Sequence, residues 1–438
     1  MKQTLFYIPE ELFGLPVFGF GLALTMLVIG IAFAVGRRFA KTKKFDEEIG
    51  SYFGLLAIGS TILVFVAPYL SEPKLGLPIR GFGFFLTIAI LSALALALRL
   101  AKQRGISPDT MFSLCLWSVV SGLLGARLFY VTEYWQEMIV FDLAGNLLFR
   151  ESFFSVVNIA KGGIVVYGSI IGGMVGAIIF MLRNRLPILP TLDIMAPALM
   201  LGIAIGRIGC LMNGCCFGSV CDLPWAITFP TDSPAHVHQV AHGETFYYGL
   251  KFEDRDVAVA VQEVQPNSGA EQAGLKPGMV LKGISGMVDG RPQGWFVRKT
   301  IGAFEVIHDL NRADPQGNLR FDVYDGAVEK SFFVGPSPSV VLPIHPTQIY
   351  SSLGAACICG TLLFLQGFAF FQQRNGSVFV AFLFLYSTGR FFIETLRTDE
   401  GSFLGTGLTV SQNVCILVFL AAVVLGVLCR GSVRQQDK

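Results

Sequence analysis

The sequence predicts an all-α polytopic membrane protein with a β-rich domain inserted on its outer side, and three observations carry that prediction. Apolar residues make up 53% of the 438-residue chain and charged residues only 15%, against roughly 25% charged in soluble domains. Long apolar runs recur along most of the chain, giving a mean hydropathy of +0.60. Between about 213 and 345 the character changes and charged residues become frequent. The 39 Phe and 49 Gly fit the same class, because aromatic residues and Gly are both common in membrane helices. A net charge of +2 supplies no field for nucleic acid, and no nucleic-acid module is recognisable.

A helix needs about 20 apolar residues to cross the hydrocarbon core. Uncharged runs of that order lie at 17–36, 52–70, 81–98, 162–182, 346–373 and 401–429. Three more are interrupted by ionisable residues: 111–131 by Arg127, 194–212 by Arg207, and 375–396 by Arg390 and Glu394. The expected total is about nine spans. Cations cluster in alternate loops, at Arg37–Lys44, Arg99–Arg104, Arg183–Arg185, Arg374 and Arg430–Lys438. Short cytoplasmic loops are enriched in Lys and Arg, so the N-terminus is expected outside and the C-terminus inside. Glu10 and Glu11 precede the first span and a basic leader segment is absent, which argues against a cleaved signal peptide. Residues 14–21 (GLPVFGFG) and 76–83 (GLPIRGFG) each open a span and look alike. A partial duplication and a coincidence of Gly/Phe-rich helix starts both account for them.

The insert reads as β-structure. Residues 257–265 alternate like a strand, turn residues, a short helix and a second strand follow, FEVIHDL at 304–310 reads as a helix, and 319–334 as a hairpin turning at Asp325-Gly326. This order, with AGLKPG at 273–278, resembles a PDZ domain over about 249–335. Such domains add an extended peptide to a sheet edge; the other reading is a folded spacer with an unused groove. His236, His238 and His242 lie close in sequence; a solvated loop is preferred to a metal site for them.

Arginine near the bilayer centre costs at least about 2.5–3.5 kcal/mol, so it faces a cavity, a partner or an anion. Arg127, Arg207 and Arg390 lie near the outer ends of their spans. Arg390 and Glu394 are four apart, which permits an ion pair on one helix face. For Arg207 only Asp193, at the far end of its own span, offers an acid. A guanidinium fork there matches a lipid phosphate. Gly168, Gly172 and Gly176 make a four-residue glycine stripe, a face for close helix approach, with Tyr167 at the outer end of that helix.

GARLFYV (125–131), KGGIVVYGSIIGG (161–173), LDIMAPALMLGIAIGRIGCLMNGCCFG (192–218), HPTQIY (345–350), YSTGRFFIETLR (386–397) and GLTVSQ (407–412) stand in an order that resembles the prolipoprotein diacylglyceryl transferase family. The resemblance covers about 76–428 apart from the insert and accounts for seven spans. It implies a seven-helix core in two parts (71–212 and 345–438), an N-terminal extra pair (1–70) and an insert (213–344). It further implies an inner-membrane enzyme that moves the diacylglyceryl group of phosphatidylglycerol onto the lipobox cysteine of a prolipoprotein signal peptide. No cofactor or metal is implied. Carried over by motif, Arg207 and Arg390 fall on two essential arginine positions. Asp193, Asn213, Gly218, His345, Tyr386 and Glu394 fall on further motif positions, and Arg127 on the arginine of the second core helix. The resemblance thus assigns catalysis to Arg207 and Arg390, with His345, Tyr167 and Glu394 as candidate proton acceptors. Lipid binding falls to the two arginines with Arg127, Asn213, Gly218, Tyr386 and Asp193. An envelope protein or peptide is the expected partner of the PDZ-like insert.

Four positions depart from the family pattern. Tyr167 stands where the family has the histidine taken as the base, Phe82 replaces a tyrosine, and Cys210 and Cys215 replace an asparagine and a glutamate. An active enzyme is still expected, because adjacent arginines lower a thiol's pKa. A non-catalytic adaptor of the same fold is the alternative, and a thiol oxidoreductase a weaker third. A transporter is disfavoured because inverted halves are not evident. Cys210, Cys215, Cys216 and Cys221 form a cluster on the oxidising side. Two disulfides are preferred there, ahead of a metal site, a redox pair or free thiols.

Overall fold

A computed structural model describes residues 4–42, 53, 56–57, 59–71, 75–139, 148–157, 163, 165–231, 233–255, 258–288, 291–296, 317–335, 340–397 and 406–429. The chain divides into two compact units, one of residues 1–85 with 208–346 and one of residues 86–207 with 347–438. Among the described residues, eight helices are long and apolar enough to cross a bilayer. They are α1 (Leu22–Thr42), α2 (Gly81–Gln103), α3 (Pro108–Glu133), α5 (Val166–Arg183), α6 (Ile188–Asn213), α9 (Thr347–Leu365), α10 (Ser377–Glu394) and α11 (Val410–Cys429). A shorter helix, α4 (Phe149–Val157), precedes α5. The expected span at 52–70 lies partly outside the described residues, and its described stretch, Gly59–Leu70, is an apolar helix too short to span. The expected 346–373 span stops at Leu365, because the chain turns through Gly367 before a short helix, Ala369–Gln373.

In the unit of residues 86–207 and 347–438, glycines set the packing. The stripe on α5 lies against a second set on α3. A Cβ on Gly168 would come 2.5 Å from the carbonyl oxygen of Gly125, and one on Gly172 would come 2.6 Å from that of Ser121. At that approach backbone meets backbone, and only Gly fits. The α3–α5 pair thereby fixes the helix ends that carry Arg127 and Tyr167. One core of this unit joins Met111 and Leu114 of α3 to Met181 of α5 and Ile194 of α6. A second joins Met200 of α6 to Cys359 and Leu362 of α9 and Phe382 of α10.

In the other unit, β1 (Thr4–Ile8) pairs antiparallel with β2 (Leu77–Arg80). The insert forms a six-stranded antiparallel sheet of β3 (Leu250–Arg255), β4 (Ala258–Val264), β5 (Val280–Val288), β6 (Arg291–Phe296), β7 (Leu319–Asp325) and β8 (Val328–Val334). Its order is β8-β7-β5-β4-β3, with β6 on the end of β5 that β4 leaves free. β7 and β8 turn at Asp325-Gly326, where Gly326 takes φ +65°. Phe252, Phe321, Ile284 and Val323 are buried beneath the sheet. The short helix α8 (Gly269–Ala273) is capped by Ser268, whose Oγ accepts the Glu271 amide at 3.2 Å, and ends on Gly274 at φ +92°. The helix expected at 304–310 lies outside the described residues.

Two of the three histidines, His236 and His238, correct the expectation of a solvated loop, whereas His242 is an exposed turn residue. The three sit on and beside helix α7 (Pro234–Ala241), with His236 1% and His238 8% exposed. Pro234 at the first helical position and the Ser233 cap start this helix, and Val237 and Val240 anchor it to the sheet core. The His236 ring donates from Nδ1 to the Thr231 carbonyl, while His238 stacks on His242 at 3.9 Å.

The ends of the insert are joined backbone to backbone. The Gly218 amide donates to the His345 carbonyl at 3.1 Å and the His345 amide to Ser219 at 3.0 Å. Ile227 and Ile344 exchange both bonds, and the Gln239 side chain brackets Leu342 through its amide and carbonyl. These bonds form a neck between helix and domain.

Gly172→Val places a branched side chain against the Ser121 carbonyl. It is expected to cost about 1–3 kcal/mol as overpacking, read as a lower melting temperature in detergent. Gly360→Ala, at a helix position with nothing within 4 Å, is expected to leave the melting temperature unchanged.

Candidate active site

Arg390 lies in the last turns of α10, four residues before Glu394. Its Nη2 reaches Glu394 Oε2 at 2.7 Å, and Arg397 Nη1 approaches the same oxygen at 3.6 Å. The Glu394 side chain is fully buried, so two guanidiniums share one carboxylate away from solvent. Arg390 Nη2 also donates to Ser411 Oγ at 3.3 Å, and the Tyr167 phenol lies 3.1 Å from that hydroxyl. Tyr167, Ser411, Arg390 and Glu394 thus form one hydrogen-bonded chain across α5, α11 and α10. Nη1 of Arg390 is buried with no hydrogen-bond partner among the described residues.

Ser411 owes its place to a capping box. Thr409 Oγ1 accepts the Gln412 amide at 3.2 Å, and Gln412 Oε1 accepts the Thr409 amide at 3.0 Å. The Thr-x-x-Gln spacing inside GLTVSQ is a readable signal for that helix start, and Ser411 sits within it. The motif marks the segment without singling out Ser411.

Arg207 lies on α6, half-buried, and makes no hydrogen bond or ion pair with a described residue. Arg127 is differently placed. Its guanidinium donates to the carbonyls of Ser155, Val156 and Gly163 at 2.6, 2.8 and 2.9 Å and lies over the Tyr130 ring. It ties the end of α4 and the approach to α5 onto α3. Tyr386 stands one turn before Arg390 with its ring stacked on Phe382 at 5.8 Å.

Asp193 is not gathered with these residues. It lies 14 residues before Arg207 on α6, about 21 Å along the axis at 1.5 Å per residue. There its fully buried carboxylate accepts the amides of Gly376 and Phe379, both at 2.8 Å, and faces Arg104 Nη1 at 3.6 Å. It caps the start of α10 from a neighbouring helix. Periodicity hides such a contact because the acceptor is supplied from 183 residues away in sequence.

Within the other unit, Gly218 and His345 meet at the neck, and Asn213 ends α6. Cys210, Cys215 and Cys216 bring their sulfurs within 4.8 Å of one another. None of the three is in a disulfide, so the two disulfides preferred from sequence do not form among the described residues. Hydrogen bonds to Cys210 and Cys216, reinforced by burial, push the Cys215 thiol up. An apolar cavity of about 230 Å³ opens beside the Arg390 end of α10, lined by Thr388, Phe391, Phe392, Ile416, Phe419 and Leu420 among others.

These features define a multi-pass helical membrane protein whose apolar bundle holds several arginines, one of them with a buried donor unused. The chain belongs to the prolipoprotein diacylglyceryl transferase family: the family model of that description matches residues 68–428. A relative from Rhodopirellula baltica, a phosphatidylglycerol–prolipoprotein diacylglyceryl transferase, is 32% identical over 97% of this chain and 88% of its own length. Relatives of the same description are 35% identical over 36% and 39% of this chain, from Clostridium perfringens and Thermosynechococcus vestitus respectively. Those matches cover 58% and 60% of the relatives' lengths. The protein is therefore a membrane transferase of lipoprotein biosynthesis.

Asp193→Ala removes both acceptors from the start of α10 and the counter-charge of Arg104. It is expected to destabilise the protein by about 1–3 kcal/mol, measured as a loss of melting temperature, with Asp193→Asn recovering part of it.

Proposed function

We propose that the chain transfers the diacylglyceryl group of phosphatidylglycerol to the lipobox cysteine of a prolipoprotein signal peptide. The thiol sulfur attacks the glyceryl carbon that carries the phosphate. A C–S thioether bond forms, the C–O bond breaks, and glycerol phosphate leaves with the electron pair while the thiol proton is lost. The observation that carries this reading is the buried, unpartnered Nη1 of Arg390. A guanidinium already held by Glu394 and Ser411 is preorganised, so a phosphate oxygen meets a fixed donor as its charge develops. Arg207, without a protein partner among the described residues, supplies the second cation. A bidentate fork suits the phosphate better than an ammonium.

In this reading Tyr386, one turn from Arg390, lines the headgroup site, and Asn213 and Gly218 are carried as lipid-binding positions by the motif resemblance alone. Arg127 and Asp193 contribute through the backbone each holds, namely the α4–α5 approach and the start of α10. The apolar cavity between α10 and α11 accepts an acyl chain. Tyr167 is a candidate proton acceptor linked to the phosphate clamp through Ser411. Glu394, shared by two guanidiniums, serves as a counter-ion, and His345 is the remaining candidate acceptor. The cation pattern of the loops supports an external N-terminus, a cytoplasmic C-terminus and an extracytoplasmic insert in a bacterial inner membrane. A two-part core at 71–212 and 345–438, an extra pair at 1–70 and an insert at 213–344 complete the organisation. The antiparallel sheet with its capped helix α8 supports a PDZ-like domain that takes an extended peptide from an envelope protein.

The test is transfer of labelled lipid to a lipobox peptide in proteoliposomes. Wild-type protein is expected to be active. Arg207→Ala and Arg390→Ala are each expected to lose at least about 10²-fold in kcat, and Arg390→Lys to recover little because it lacks the fork. Wild-type activity in Arg390→Ala would overturn the reading.

A further inference from the structure

The segment that ends α6 builds a cluster that the transfer reaction does not use. Gly214 takes φ +73°. The Cys215 amide donates to the Cys210 carbonyl at 3.2 Å, and the Gly214 amide to that of Leu211 at 3.3 Å. This bond pair is a Schellman cap, which sets the residue after the left-handed glycine against the one five positions earlier. That contact is ordinarily between two apolar side chains, and here both are cysteines. Cys216 then also takes a left-handed conformation, φ +58°, which residues other than Gly adopt uncommonly. Through these two turns the sulfurs of Cys210, Cys215 and Cys216 all lie within 4.8 Å of one another.

Three points that close have a common centre no farther than 4.8 Å divided by √3, about 2.8 Å, from each. A zinc–thiolate bond is about 2.3 Å, so small side-chain rotations bring all three sulfurs to bonding distance. Soft thiolates select Cu(I) or Zn(II) over Mg(II) or Ca(II).

We propose that Cys210, Cys215 and Cys216 bind one thiophilic metal ion at the end of α6. Cu(I) suits a three-sulfur set, because Zn(II) requires a fourth ligand such as water. Cys221 is outside the group among the described residues. Binding releases thiol protons to solvent as the sulfurs become ligands, and no electron is transferred. The ion staples residues 215–216 to the last turn of α6, directly before Phe217 and Gly218. The site stands on its own geometry and is independent of the lipid-transfer reading.

The test uses the full-length protein in detergent, purified under nitrogen with reductant, loaded with Cu(I) or Zn(II) and desalted. One ion per chain is expected by elemental mass spectrometry, with a near-ultraviolet thiolate-to-copper band. Of the nine cysteines, three are expected to resist alkylation until a chelator removes the metal. Cys215→Ser and Cys210→Ser, each eluting as monodisperse protein, are expected to fall to background. Cys357→Ser, at an exposed thiol on α9, is expected to retain the ion. Stoichiometric zinc lost in the same two variants supports the site equally. Equal metal in wild type and both variants overturns it, as does a disulfide among the three cysteines by intact mass.

Discussion

A guanidinium inside an apolar helical bundle has to find an anion or a set of oxygen dipoles, and most of this architecture can be read as the answers to that demand. Arg127 is met by three backbone carbonyls, Arg104 by Asp193, and Arg390 and Arg397 by one shared carboxylate. Each solution fixes a different joint of the fold. The first gathers the chain between α3 and α5, the second ties the turn after α2 to α6, where Asp193 also caps the start of α10, and the third rigidifies the end of α10. In the proposed mechanism the exception is instructive: at Arg390 the protein satisfies one edge of the fork and leaves the other to substrate.

In the proposed mechanism Tyr167, at the position where the family resemblance expects a histidine, takes on meaning through Ser411. A phenol is a poor base near neutral pH, yet here it is wired to the guanidinium that the mechanism places on the phosphate. In that reading the hydroxyl couples proton acceptor and cation, so the two respond together as charge develops.

Much of this was legible in the sequence. Apolar runs give eight of the nine expected spans among the described residues, the glycine stripe gives a close helix contact though not its partner α3, and Arg390 and Glu394 at four-residue spacing give their ion pair. The Asp325-Gly326 dipeptide gives the β7–β8 turn. What escaped has a common physical cause, in that the partner is distant in sequence or is a backbone atom. Nothing local marks Asp193 as the cap of a helix that begins at residue 377. The carbonyls around Arg127 carry no residue signature at all. The histidines of α7 looked solvated because their neighbourhood is polar, whereas the Ser233-Pro234 start and two valines set the helix face. The Schellman cap was within reach, since Asn213-Gly214 is a familiar helix end. Its effect on the thiols follows only when the bond pattern is followed one residue further.

The neck has a consequence for how such a protein arises. Both strands of the connection leave side by side, held by the Ile227–Ile344 pair and the bonds at Gly218 and His345. Closure entropy rises only logarithmically with the length of a loop, and a domain that folds on itself returns its ends to their starting point. The polypeptide on either side therefore meets the same geometry whether a brief turn or a whole domain lies beyond. In the proposed organisation such a junction is a natural grafting point, at which a lineage can acquire, exchange or discard an accessory module without redesigning the rest of the enzyme.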